Sequence, residues 1–120
     1  MKLKLPVLSL ILFAAVGIVL TAVTIHAQTP AQRIEITAKR FDFTPGDITV
    51  KKGVPVTLVL TSKDVDHGLK FKDFNVTISA KKGETKEVTF TPDKTGDFIG
   101  QCSVFCGSGH GAMKITLHVN

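Results

Sequence analysis

A chain of 120 residues has room for one domain of ordinary size, and its formal net charge of +5 is too mild and too scattered for nucleic-acid binding. Lys2 and Lys4 stand at the extreme N-terminus, so the rest of the chain carries only +3. There is no tryptophan or tyrosine, no internal repeat and no block of like charge, and the pairs Lys51-Lys52 and Lys81-Lys82 read as solvated turns before Gly53 and Gly83.

The opening Met-Lys-Leu-Lys is followed by an uncharged stretch from Leu5 to Ile25 and then by His-Ala-Gln-Thr-Pro. Two lysines, a long apolar run and a small residue at Ala27 have the form of a secretory signal peptide, with cleavage between Ala27 and Gln28. The run is about 21 residues, which is also enough to cross a bilayer as an uncleaved N-terminal helix. Residues 1–27 are therefore expected to be a signal or anchor helix. Residues 28–120 are expected to form one exported domain, periplasmic or otherwise extracytoplasmic, soluble after cleavage or tethered by the uncleaved helix.

From Arg33 onward the hydrophobic period is two. Ile34, Ile36 and Ala38 alternate with polar neighbours, and the same alternation returns at Ile48 to Lys51 and Val54 to Leu60, the mark of half-buried strands. Asn75 to Ser79, Thr85 to Phe90, Gly96 to Gln101 and Met113 to Val119 are further strand candidates. Turn signals separate them at Thr44-Pro45-Gly46-Asp47, Lys52-Gly53, Lys81-Lys82-Gly83 and Thr91 to Gly96. About eight short strands with no helix after the leader predict an all-β Greek-key sandwich or barrel. In the last strand Met113, Ile115, Leu117 and Val119 share the inward face, and His118 points outward.

Between the last two strands runs Cys102-Ser-Val-Phe-Cys106-Gly-Ser-Gly-His110-Gly-Ala-Met113. It holds the only two cysteines of the chain, with a histidine and a methionine. Gly107, Gly109 and Gly111 would each cost about 1 kcal/mol inside a helix, so the stretch is expected to be a loop folding its donors around a point. His67, in a predicted loop about 35 residues upstream, can reach that point from across a sandwich. A Cys102–Cys106 disulfide would account for the cysteines alone. Zinc on Cys102, Cys106, His110 and His67 would leave the thioether idle. A cysteine nucleophile lacks an orienting group. Thiolate, thioether and imidazole together select copper, which ranks first among these readings.

These residues carry a resemblance. Cys102 to Met113, with Asp64-Val65-Asp66-His67 upstream, is similar to the copper A domain of cytochrome c oxidase subunit II, and the strand pattern resembles its cupredoxin sandwich. The resemblance implies two copper ions bridged by Cys102 and Cys106. It also implies terminal imidazoles from His67 and His110, a weak thioether from Met113 and the backbone carbonyl of Val104. The chain departs from the family in having one candidate membrane helix at most, in lacking an aromatic segment of Trp and Tyr, and in having Val104 where the family has a metal-contacting glutamate. The expectation is a free-standing electron carrier between respiratory partners such as a cytochrome or an oxidase. It would catalyse nothing itself, serving at most as an accessory domain of a terminal oxidase, and would bind no small-molecule substrate. A copper carrier or assembly factor, or a mononuclear one-copper cupredoxin, stands as the alternative.

Overall fold

The computed structural model describes residue 2, residues 17–27 and residues 29–120. Residues 17–27 are exposed and carry no regular secondary structure. Most of the predicted leader, and Gln28 at its expected cleavage site, lie outside the described residues. Among the described residues no helix is long and apolar enough to cross a membrane.

The alternation beginning at Arg33 becomes β1 (Gln32–Lys39), and the chain continues through β2 (Asp42–Thr44), β3 (Asp47–Val50), β4 (Val56–Ser62) and β5 (His67–Phe71). It ends with β6 (Val76–Ala80), β7 (Thr85–Phe90), β8 (Gly96–Gln101) and β9 (Lys114–Val119). Two short strands, β2 and β5, escape the period-two reading. The first has only three residues. The second is buried at four of its five positions, because the cysteine loop lies over its outer side. His67 is thus the first residue of a strand and not a loop residue. Gly68 permits the overlap: a Cβ there would run into Ser103 Oγ and stand 3.0 Å from Val104 Cγ2.

Two sheets result, in the orders β2-β1-β4-β7 and β3-β9-β8-β5-β6. The parallel pairs β1 with β4 and β3 with β9 show that the chain crosses between sheets, as in a Greek key. The inward faces supply the core, among them Ile36, Leu58, Leu60, Leu69, Phe71, Ile115 and Leu117. Val56 to Leu60 departs from the half-buried expectation, being buried at every position. It lies centrally between β1 and β7, and its outward Val59 sits between Glu35 and Glu87, whose aliphatic stems flank it. Both Lys-Lys-Gly turns form as read, with Gly53 and Gly83 each at φ 78° in the position that favours glycine.

This topology brings together, at one end of the sandwich, the three connections that matter for the cysteine loop. Ala38 pairs with Ser62, so the β1–β2 turn and the β4–β5 loop leave side by side. Lys70 pairs with Gln101, and Gln101 with Lys114, which sets the start of β5 beside both ends of the cysteine loop.

Candidate metal centre

At that end His67, Cys102 and Cys106 are buried, and one donor atom from each lies within 4.8 Å of the others. The two sulfurs are 3.8 Å apart. A disulfide would need about 2.05 Å, so the cysteines are free thiols and the simple-staple reading does not describe this state. Cys102 Sγ lies 3.8 Å from His67 Nδ1 and 3.2 Å from the carbonyl oxygen of Val104. Cys106 Sγ lies 3.6 Å from His110 Nδ1 and 3.8 Å from Met113 Sδ. Each sulfur therefore has its own imidazole and its own weak donor. All six donors named from the sequence converge, whereas His118 does not join them.

Local folding explains the convergence. Cys102 N–H donates to the Met113 carbonyl, closing the loop at its base. A short 3₁₀ turn, His110–Ala112, then returns the chain to β9 with Met113 fully buried beneath the sulfurs. The expectation of an irregular loop holds apart from this single turn.

Three further residues support the donors. Asp64 Oδ1 accepts a hydrogen bond from His67 Nε2 at 2.7 Å. A carboxylate only accepts, so Nε2 carries a proton and Nδ1 is the nitrogen turned toward Cys102. Burial pushes the Asp64 carboxyl up, but hydrogen bonds from the Arg40 backbone, His67 and the Val65 backbone outweigh it and bring it to about 2. On the other side, Arg40 Nε–H donates to the Cys106 carbonyl at 2.7 Å, and the Phe41 ring lies against Gly107 and Gly109. Burial, then hydrogen bonding with Cys102, pushes the Cys106 thiol up to about 11. An incoming soft metal ion would have to displace that proton. Asp64 was legible only as a polar residue three before the histidine, and nothing in the sequence pointed to Arg40 or Phe41.

His118 is occupied elsewhere. Its Nδ1 meets Asp97 at 2.7 Å and its Nε2 meets Asp47 at 2.9 Å. The two carboxylates take opposite ring nitrogens, so the three residues do not converge on an ion.

A cysteine pair, two imidazoles and a thioether thus meet at one end of a two-sheet sandwich. The model for the cupredoxin-like domain matches residues 10–114. The chain belongs to the cupredoxin-like family. Within that family it is 34% identical over 90 residues to a nitrous-oxide reductase of Cupriavidus necator, covering 72% of this chain and 14% of that protein. It is 30% identical over 86 residues to cytochrome c oxidase subunit 2 of Thermus thermophilus, covering 72% of this chain and 64% of that protein. The chain thus spans less than two thirds of the length of either relative. Among solved structures, it matches the periplasmic domain of subunit II of cytochrome oxidase (CoxB) of Bradyrhizobium japonicum. The TM-score is 0.68 and the identity 26%, over 74% of this chain and 83% of that one. The cupredoxin sandwich expected from the cysteine loop and strand pattern is thereby established, as is the kinship with oxidase subunit II.

Proposed function

We propose that this chain is an exported electron-transfer domain that holds a binuclear copper A-type centre and passes single electrons between respiratory redox proteins. The observation that carries the proposal is the pairing at the two sulfurs: 3.8 Å apart, each with one imidazole Nδ1 beside it. Half that separation is shorter than a metal–thiolate bond of about 2.3 Å, so an ion can sit equidistant from both sulfurs on either side of the line joining them. A mononuclear site needs only one of these cysteines. The proposed ligands are Cys102 and Cys106 as bridges, His67 and His110 as terminal imidazoles, Met113 as a weak thioether and Val104 through its carbonyl.

Copper bound by Cys102 and Cys106 would supply one-electron redox chemistry, with the charge shared by both thiolates so that little of the surrounding structure need rearrange. The chain's own residues supply the rest. Asp64 fixes the His67 tautomer, and the buried sheets hold the donors in place. Phe105 is 78% exposed, with its ring centroid 5.6 Å from that of half-buried His110, so a partner protein can press close to the centre. The kinship with an oxidase subunit 2 and a nitrous-oxide reductase, and with a periplasmic domain of another oxidase subunit II, supports this reading. The apolar N-terminal run accords with export of this chain by cleavage or by a retained anchor.

A second reading, delivery of copper to another protein, draws on the same half-buried His110, whose exposure gives a competing ligand access. The two readings separate on one preparation. The chain is purified reduced, loaded with copper, mildly oxidised and examined for copper content and electron paramagnetic resonance. Two ions per chain sharing one unpaired electron is the expected result. A single ion with one-nucleus hyperfine structure would overturn the binuclear reading, and rapid loss of copper to a chelator would favour delivery.

A further inference from the structure

We propose that Arg40 is a positioning residue for the metal centre, tying the His67 side of the donor set to the Cys106 side. It belongs to the β1–β2 turn and provides no ligand. Its backbone N–H donates to Asp64 Oδ2 at 2.8 Å, and the same carboxylate holds His67 Nε2 through Oδ1 at 2.7 Å. Its guanidinium Nε–H donates to the Cys106 carbonyl at 2.7 Å. One residue therefore reaches both imidazole-bearing segments, the β4–β5 connection between the sheets and the β8–β9 loop within one sheet, with His67 and Cys106 39 positions apart.

The loop needs such a tie. Beyond Cys106 it runs Gly-Ser-Gly-His, and no backbone N–H among the described residues outside the regular elements donates to the Cys106 carbonyl. Gly107 adopts φ 137°, a conformation side chains rarely tolerate, and glycine-rich backbone of this kind loses much freedom on ordering. A Cβ at Gly107 would stand 3.5 Å from Arg40 Nε and 3.0 Å from the Phe41 ring. The Arg40-Phe41 pair thus lies directly on the glycines and holds them where His110 can face Cys106 Sγ. A planar guanidinium donor suits a carbonyl partly screened from water, and its positive charge strengthens the bond. Lysine keeps the charge and a donor on a flexible stem, so it should restore the tie in part. Glutamine removes the charge and shortens the reach. The backbone bond to Asp64 survives either change, so substitution isolates the guanidinium.

The inference rests on the copper reading above for its functional meaning, but its first test needs no ion. Amide hydrogen exchange is measured on the metal-free full chain for wild type, Arg40→Gln and Arg40→Lys. Loss of one charge-assisted hydrogen bond should speed exchange at residues 107–110 by about tenfold, with β4 and β9 unchanged and Lys intermediate. Unchanged exchange in the loop would overturn the proposal. So would a uniform rise through the strands, which would make Arg40 a contributor to global stability alone. The copper-loaded chain is then challenged with a chelator. Arg40→Gln should release copper about tenfold faster than wild type, and its paramagnetic resonance lines should broaden as the donor geometry spreads. Equal release and unchanged lines would overturn the positioning role at the loaded centre. Failure of wild type itself to hold copper would sink the functional reading while leaving the exchange result to judge Arg40.

Discussion

The two ends of the sandwich are closed by different chemistry. At the end opposite the thiols, Phe74 meets Phe90 with ring centroids 5.6 Å apart and Phe98 edge-on at 4.7 Å. The Lys94 ammonium lies 5.3 Å from the Phe74 centroid, capping the cluster with a cation over its faces. Apolar contact, ring geometry and this cation close that end. At the other end sit two free thiols, two imidazoles and a thioether, arranged by hydrogen bonds to Asp64 and from Arg40. Those donors gain little from each other when no ion is present. The contrast teaches that one end is closed by ring packing and the other is held ready for a ligand by its neighbours.

The strongest test of that division is at the sulfurs. Cys102→Ser or Cys106→Ser should abolish the proposed two-ion centre, leaving at most one copper per chain, because an alcohol does not bridge soft ions as a thiolate does. Metal analysis and paramagnetic resonance read this directly. The thermal unfolding of the metal-free variants should stay close to that of metal-free wild type. A collapse of the metal-free fold on losing one thiol would mean that the donor end also carries stability.

Phe74→Ala should behave in the opposite way. Phe74 is only partly buried, so the cost should fall near or below the low end of the range for aromatic truncation, about 2–3 kcal/mol, together with the loss of both ring contacts and of the Lys94 cap. Denaturant melts would show it. Copper stoichiometry and spectrum should not change, and a shifted spectrum would show that the ends are coupled through the sheets.

How much of each end was legible in the sequence follows from what holds it. The strands came from period-two alternation, which is local, and Ile115, Leu117 and Val119 face inward as the pattern predicts. The donors came from residue chemistry compressed into one loop, so Cys102, Cys106, His110 and Met113 could be named before any fold was known. His67 was nameable only with the sandwich and the resemblance in mind, and its strand was missed because Ser103 and Val104 lie over Gly68, a position that period two would leave exposed. Arg40 and Phe41 were illegible. Their roles arise from β1 running parallel to β4, a pairing that no local pattern encodes. The Phe74, Phe90 and Phe98 cluster was hidden for the same reason, since its members come from separate parts of the chain.

Smaller effects follow at Met113. It is fully buried, and its Sδ lies 3.8 Å from Cys106 Sγ. Met113→Leu nearly conserves volume, so stability should fall by less than about 1.5 kcal/mol. A weak ligand tunes more than it holds, so copper should remain while the reduction potential moves. Voltammetry of the loaded variant checks this. An unchanged potential would remove the thioether from the ligand set and leave Met113 as packing alone.

The smallest expected effect is at His118, on the outer face of β9 and away from the thiol end. Asp97 chiefly, and Asp47 next, raise its pKa above the ordinary histidine value, because both ring nitrogens donate to carboxylates and favour the imidazolium. A raised folded-state pKa stabilises the fold fully below about pH 6.5, the unfolded value, and that contribution is lost as pH rises through the folded pKa. The chain should therefore show a slight loss of stability on passing from pH 6 to above the folded value, and Asp97→Asn should flatten that slope. His118 is partly exposed and its partners are more so, so salt should weaken the effect as it screens the pair. His118→Ala should abolish the slope while leaving copper content and spectrum as in wild type. Loss of copper in that variant, with His67→Ala retaining it, would reverse the assignment of the two histidines.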